Sequence, residues 1–242
     1  MDKSILLATM VVCFFLGSQN KSDPVSPLMS GDIIGWVELD SVYSVSASKS
    51  VFPGGVLIQL EGTSYSAYSD SAGFWKISGV EIGTYNISAS KPGFSTALIQ
   101  SHPFVGGMEP DFAGYSVLYS IPSVYVKSID SVRMNSTYLS VFGRLSSTVI
   151  SQSVVIFLGT DSNLVHLQSN YLTFDENNTY TDSFWGGFDL DVLKTQGVNS
   201  GSKVYLVAYT LNRGAYRDVT TQRTMFTALC STPSEIVSCV IP

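Results

Sequence analysis

Two histidines, His102 and His166, are the residues of this 242-residue chain best suited to general acid–base chemistry. His102 precedes Pro103, and His166 lies in a short apolar run that is typical of a strand. A serine hydrolase would need a serine in a constrained turn beside a histidine and an acid, but the chain has no G-x-S-x-G motif. The zinc-peptidase motif H-E-x-x-H and the Walker motif are also missing from the sequence. The sequence therefore predicts a protein that is not an enzyme and holds no cofactor.

The run Asp175-Glu176-Asn177-Asn178 offers oxygen ligands of the kind that calcium prefers. An EF-hand loop also requires a central glycine and a terminal glutamate, and both are missing here. We therefore expect these residues to form a solvated hairpin loop, and we predict no metal site.

Two cysteines, Cys230 and Cys239, follow the main strand-forming region, while Cys13 lies in the N-terminal apolar run. In an oxidising compartment the pair is a candidate for a disulfide across the C-terminal tail. A zinc site is the rival interpretation, but it lacks nearby histidines or further cysteines.

Aromatic side chains are the remaining candidates for binding chemistry. The run Phe184-Trp185-Gly186-Gly187-Phe188 places three rings around two glycines. Trp185 and Phe188 could stack against the face of a sugar. The alternative is that these rings pack into a core, because β-sheets favour aromatic residues.

The N-terminus has the pattern of an export signal. Lys3 is followed by an apolar run over residues 5–16, which is too short to span a membrane as a helix. Residues 16–18 resemble the approach to a bacterial lipoprotein cleavage site, but Gln19 stands where that family requires the lipidated cysteine. We expect an exported protein of the periplasm, outer membrane or cell surface, in contact with a membrane only through an N-terminal anchor.

Composition excludes several classes of protein. A net charge of −6 without a basic cluster excludes a nucleic-acid partner, since nothing would neutralise phosphates. With 45% hydrophobic and 13% charged residues, the chain is neither disordered nor a coiled coil. Short alternating runs, separated by Gly, Pro, Asn, Asp and Ser about every ten residues, predict an all-β fold of two β-sandwiches in tandem.

The first half resembles the carboxypeptidase regulatory-like domain, which has a transthyretin-like β-sandwich fold. The residues that carry this resemblance are, in chain order, 35–37, 53–63, 69–74, 80–85 and 90–94. Gly73, Gly83 and Gly93 are predicted to occupy turns that a Cβ would hinder. Phe74, Ile77, Val80, Tyr85 and Ile87 are predicted to face inward. The resemblance implies a folding or adaptor module and carries no chemistry.

The second half contains candidate strands at 138–145, 153–158, 165–168, 180–190, 204–211 and 221–229. Their number and spacing are typical of an immunoglobulin-like or fibronectin type III sandwich. Residues 201–212 are similar to the penultimate strand of fibronectin type III-like domains. Along that strand, alternation places Val204, Leu206 and Ala208 on one face.

These observations divide the chain into a signal segment with a linker (1–30), a carboxypeptidase regulatory-like sandwich (31–126), and an immunoglobulin or fibronectin III-like sandwich with a C-terminal tail (127–242). The predicted function is that of a non-enzymatic cell-envelope protein, an adaptor or adhesion-type module. The alternative is a carbohydrate-binding accessory protein of a polysaccharide-uptake system. The expected partner is another envelope protein or a glycan.

Overall fold

The computed structural model describes residues 30–41, 49–163 and 170–242. Within these ranges the chain forms seventeen strands and one short helix, so the predicted all-β class is confirmed. Two sequence-based predictions lie outside the described residues, namely the export signal before Ser30 and the strand position of His166.

The first eight strands form two sheets. They are β1 (Ser30–Ser41), β2 (Lys49–Val51), β3 (Leu57–Leu60), β4 (Ser66–Tyr68), β5 (Phe74–Glu81), β6 (Gly83–Ser90), β7 (Ala97–Phe104) and β8 (Asp111–Tyr119). In one sheet the long strand β1 is central, with β2 and β5 antiparallel along one edge and β8 parallel along the other. The second sheet has the order β4-β3-β6-β7. We call these two sheets the first unit.

Alternation along the strands sets the core of the first unit. On β1, Ile33 and Val37 are buried, whereas Trp36 is half-buried on the opposite face. Gly73, in the turn before β5, has a φ of +88°, and a Cβ there would lie 2.2 Å from the Val37 carbonyl oxygen. The sequence-based expectation of a glycine-dependent turn is confirmed at this position.

The inward face of β5 differs from the prediction. Gly31 pairs with Val80 but Ile33 pairs with Ile77, so β5 carries one extra residue at this point. The extra residue lies beside Gly79, which has a φ of +68°, as expected of a glycine bulge. Trp75 and Ile77 share the inward face by alternation, and the bulge lets Val80 face inward with them. Phe74, which was predicted to face inward, instead packs against Trp36 on the outer face, with ring centroids 5.3 Å apart.

The remaining elements form the second unit. They are β9 (Val126–Met134), β10 (Tyr138–Leu145), β11 (Gln152–Gly159), β12 (Thr173–Thr179), β13 (Ser183–Asp189), α1 (Leu190–Thr195), β14 (Lys203–Leu211), β15 (Ala215–Arg217), β16 (Thr224–Phe226) and β17 (Val237–Val240). One sheet has the order β13-β10-β9 and the other β12-β11-β14-β17, while β15 and β16 form a separate hairpin. All of these pairings are antiparallel.

Strand β11 is covered on both faces. Val154 and Ile156 pack into the core between the two sheets, while Val155 and Phe157 belong to a second cluster on the other side. Strand β14 is divided in the same way. The second cluster, which we call the outer aromatic layer, consists of the residues Val155, Phe157, Tyr171, Val207, Tyr209, Leu211 and Phe226. It covers the outer face of the four-stranded sheet.

The two units contact each other through the segment that follows β14. The Asn212 side-chain amide donates to the Ser120 carbonyl oxygen. Further along this segment, two residues are hydrogen-bonded to the side-chain amide of Gln100 on β7. Gln100 Nε2 donates to the Arg217 carbonyl oxygen at 3.1 Å, and Gln100 Oε1 accepts from the Val219 amide at 2.9 Å. The β15–β16 hairpin of the second unit is therefore hydrogen-bonded to a strand of the first.

Candidate functional site

An open groove of about 640 Å³ lies on the second unit, on the solvent face of the three-stranded sheet. We call it the Trp185 groove. Its walls come from β9, β10, β12, β13 and the turn that precedes β13. The residues that matter for its chemistry are Asp130, Phe142, Arg144, Asn178, Tyr180 and Trp185.

Alternation along β13 decides which of its rings can meet a ligand. Trp185 points outward and is 62% exposed, whereas Phe184 and Phe188 point inward and are 5% exposed. The prediction that Trp185 is available for stacking fits this geometry. The same prediction for Phe188 is wrong, because Phe188 has the parity of Phe184 and packs into the core between the sheets.

Phe142 lies beside Trp185, although nothing in its sequence context marked it as a site residue. The two residues are direct partners on β10 and β13, and Phe142 is 37% exposed. Directly opposed residues on one face of an antiparallel pair have Cβ atoms about 5 Å apart, so the two aromatic side chains are neighbours. On the other side of Phe142, the guanidinium carbon of Arg133 lies 5.3 Å from its ring centroid.

A charged pair borders the aromatic residues. Arg144 Nε donates to Asp130 Oδ2 at 2.8 Å, and Ser128 Oγ donates to Asp130 Oδ1 at 2.6 Å. Two hydrogen bonds lower the pKa of Asp130 below its usual range, and the one from Ser128 has a larger effect than the one from Arg144. Asp130 is therefore a carboxylate at neutral pH, and it orients Arg144 through Nε while the two Nη groups stay available.

The opposite wall is polar and held by its own hydrogen bonds. Thr179 Oγ1 donates to the Ser183 carbonyl oxygen, which ties the turn before β13 together. Ser153 Oγ donates to Asn178 Oδ1 at 2.6 Å, so the Asn178 amide nitrogen is free to donate elsewhere. Tyr180, at the tip of this turn, is 66% exposed. The groove thus combines aromatic side chains with hydrogen-bond donors, of which Arg144 and Asn178 are oriented by their own hydrogen bonds.

The residues first considered for catalysis or metal binding lie elsewhere. His102 is in the first unit, where its Nε2 lies 2.6 Å from Asp111 Oδ2 and its side chain is only 14% exposed. Residues 175–178 belong to strand β12, so the predicted hairpin loop is wrong. There, Asp175 Oδ2 accepts from the Gly187 amide at 2.8 Å. In the described parts of the chain, no three metal-ligating side chains come together.

The predicted disulfide is wrong, since Cys230 and Cys239 are both free thiols. The Cys230 amide donates to the Thr210 carbonyl oxygen, whereas Cys239 pairs with Val204. Six residues of extended strand separate these two positions on β14, which is about 20 Å. A disulfide requires Cα atoms within about 7 Å of each other. Burial raises the pKa of the Cys239 thiol, which keeps it protonated.

Fold and groove together define an all-β protein of paired sheets that carries an open aromatic groove. No model of a known protein family matches the chain, and no curated protein matches it. Among the described residues, no helix has the length and apolar character needed to cross a membrane.

Solved structures do show likenesses. A candidate carbohydrate-binding protein from Bacteroides uniformis is 16% identical, with 87% of this chain and 98% of that chain covered and a TM-score of 0.33. A DUF3823 family protein from Bacteroides ovatus is 12% identical, with 88% and 100% covered and a TM-score of 0.33. A chain of a type II cohesin–X-dockerin complex from Acetivibrio cellulolyticus is 21% identical over 37% of this chain, with a TM-score of 0.31. The match spans 58% of that chain's length. At these TM-scores the likenesses carry no inference about what this chain binds.

Proposed function

We propose that this protein is an exported binding module without chemical activity, and that it holds a carbohydrate in the Trp185 groove. The observation that carries the proposal is the exposed Trp185 beside Phe142 in a groove that is also lined by hydrogen-bond donors. Export is supported by the charged start and the apolar run over residues 5–16.

The groove matches the two kinds of surface that a sugar presents. The C–H face of a sugar ring is apolar and packs against an aromatic side chain, while its hydroxyls at the ring edge require hydrogen-bond partners. Trp185 and Phe142 supply the first kind of contact. The Nη groups of Arg144, the Asn178 amide and the Tyr180 hydroxyl supply the second. A volume of about 640 Å³ lies within the range of sites that hold small ligands, roughly 300–1,000 Å³.

The first unit acts in this proposal as a spacer that positions the groove. Its resemblance to the carboxypeptidase regulatory-like domain, over residues 31–126, supports a structural or adaptor role. The two hydrogen bonds of Gln100 to the β15–β16 hairpin support a fixed orientation between the spacer and the second unit. A rigid connection would keep the groove at a constant angle to whatever anchors the N-terminus.

Tryptophan fluorescence tests the proposal directly. Trp75 is buried and Trp36 is half-buried, so ligand-dependent changes should come from Trp185. Soluble xylan, laminarin, starch and mannan are titrated into the full chain, and at least one of them is expected to shift the emission. Affinity is then measured by calorimetry for that glycan with Trp185→Ala.

The expected loss for Trp185→Ala is about thirtyfold, which corresponds to about 2 kcal/mol, the threshold for a binding hot spot. Tyr68→Ala is the matched control, because Tyr68 is 70% exposed but lies on β4 of the first unit. It should bind with wild-type affinity. A bound glycan whose affinity is the same for wild type and Trp185→Ala would refute the assignment of the groove.

A further inference from the structure

Three apolar side chains protrude from one end of the first unit. Ile82 forms the turn between β5 and β6, and Val105 and Met108 lie in the loop after β7. Their exposed fractions are 44%, 83% and 88%, respectively. We call these three residues the tip cluster. Exposed apolar residues that lie together, unlike single scattered ones, are typical of a docking surface.

Backbone pairing brings the three together around the start of β1. Glu81, just before Ile82, pairs with Ser30, and Gly83, just after it, pairs with Phe104. The Gly107 amide donates to the Ser30 carbonyl oxygen at 3.3 Å. Ile82 and Met108 therefore each lie next to a residue that is paired with or hydrogen-bonded to Ser30. Val105 lies next to Phe104, which pairs with the first residue of β6.

The charges at this end are acidic and few. Asp32 pairs with Lys76, and Asp111 pairs with His102. Glu81 and Glu109 are the charged side chains here without a partner in the described parts of the chain. No Lys or Arg occurs at 80–84 or 104–112. Docking at this end would therefore depend on apolar contact, with no attraction to anionic groups.

The chain enters the first unit at the same end. Residues 17–29 connect Ser30 to the apolar run over residues 5–16. Fourteen residue steps from Leu16 to Ser30 reach at most about 50 Å, so a lipid-bound run would keep the tip cluster near the membrane. Protruding side chains on separate turns suit a fluid, deformable surface, because each can enter it without a complementary pocket.

We propose that the tip cluster docks on a lipid bilayer, with Ile82, Val105 and Met108 inserted at the boundary between headgroups and acyl chains. The first unit then stands on the membrane with the start of β1 toward it. This proposal is independent of the Trp185 groove, since the two surfaces lie on different units.

Binding of the full chain to vesicles tests the proposal. Flotation with phosphatidylcholine vesicles gives the affinity, and hydrogen exchange with and without vesicles gives the contact site. The amides of residues 105–108 are expected to exchange about tenfold more slowly with vesicles. The double variant Val105→Asp/Met108→Asp should lose this protection and bind about tenfold more weakly or worse, since apolar burial is replaced by charge.

Ile150→Asp is the matched control, because Ile150 is 73% exposed but belongs to the second unit. It should keep both the affinity and the protection of residues 105–108. Wild-type affinity of the double variant, or unprotected amides in the vesicle-bound wild type, would overturn the proposal. It would also be overturned if the amides were protected without vesicles and Leu6→Asp/Leu7→Asp released them, because the chain's own N-terminal run would then cover the tip cluster.

Discussion

Replacing Phe157 by alanine tests whether the outer aromatic layer is part of the core. Phe157 lies on β11 and is 3% exposed. Its ring centroid lies between 5.2 and 6.4 Å from those of four other rings, which belong to Tyr171, Phe174, Tyr209 and Phe226. No other ring makes as many of the aromatic contacts found in the described chain, so its removal should disrupt the layer at its centre.

The magnitude follows from burial and from the ring contacts. A core Phe→Ala substitution costs about 3–5 kcal/mol through lost burial and the cavity left behind. Two of the four contacts, with Tyr209 and Phe226, are edge-to-face, and such a pair contributes about 0.5–1.5 kcal/mol beyond burial. We therefore expect Phe157→Ala to lower the free energy of unfolding by about 5 kcal/mol. With a urea slope of about 2 kcal/mol per M, the midpoint falls by about 2.5 M.

The assay is urea unfolding followed by circular dichroism, with two comparison variants. Phe157→Leu keeps most of the volume and should cost about 1.5 kcal/mol. Phe142→Ala removes a partly exposed ring from the three-stranded sheet and should cost about 1 kcal/mol or less. If Phe157→Ala shifts the midpoint no further than Phe142→Ala does, the outer aromatic layer is not a core and the explanation fails.

Three further predictions concern a turn, a charge and the cysteines. Gly73→Ala should destabilise the protein by about 2–4 kcal/mol because a Cβ would meet a carbonyl oxygen at 2.2 Å. Gly93→Ala should cost only about 1 kcal/mol because there is open space around that position, and thermal unfolding compares the two variants. Because the pKa of Asp130 is lowered, its contribution to groove binding should be constant above about pH 4 and lost as the pH falls through that lowered pKa. Calorimetry of wild type and Asp130→Asn from pH 7 to pH 3 should show this loss in the wild type, and equal pH profiles would contradict it. Because Cys230 and Cys239 are free, dithiothreitol should leave the Tm of purified protein unchanged, and a drop of several degrees would show that they are bonded.

Sequence patterns predicted strands best where polar and apolar residues alternate. The candidate strand at 138–145 coincides with β10, and Val204, Leu206 and Ala208 share the face of β14 that packs between the sheets. The candidate strand at 180–190 extends beyond β13 at both ends, and the short helix α1 that follows β13 was not predicted. Asp189 accepts hydrogen bonds from the amides of residues 191 and 192 and so begins α1. An aspartate before a short apolar run is a helix-start signal, so this feature was visible in the sequence.

The candidate site could be predicted only in part. Trp185 was found from its residue type, and parity would have separated Phe188 from it, since residues three apart on a strand lie on opposite faces. Phe142 and Arg144 could not be found in this way, because their position beside Trp185 and Ser183 depends on the register between β10 and β13. Register is set by tertiary packing, which a single sequence does not display.

The two sheets of the second unit differ in whether their outer faces are covered, and this difference explains where its aromatic residues lie. Tyr171 and Phe226 cover the outer face of β11, and the Tyr171 hydroxyl holds this cover in place by donating to the Thr224 carbonyl oxygen at 2.8 Å. Most rings of this unit are therefore used for stability. Trp185 and Phe142 lie on the three-stranded sheet, for which the described residues provide no such cover, although burying these rings would add stability. A sandwich with a purely structural role would gain stability by burying these rings. Because they are exposed beside an Arg144 that Asp130 orients, binding should be sought in this groove.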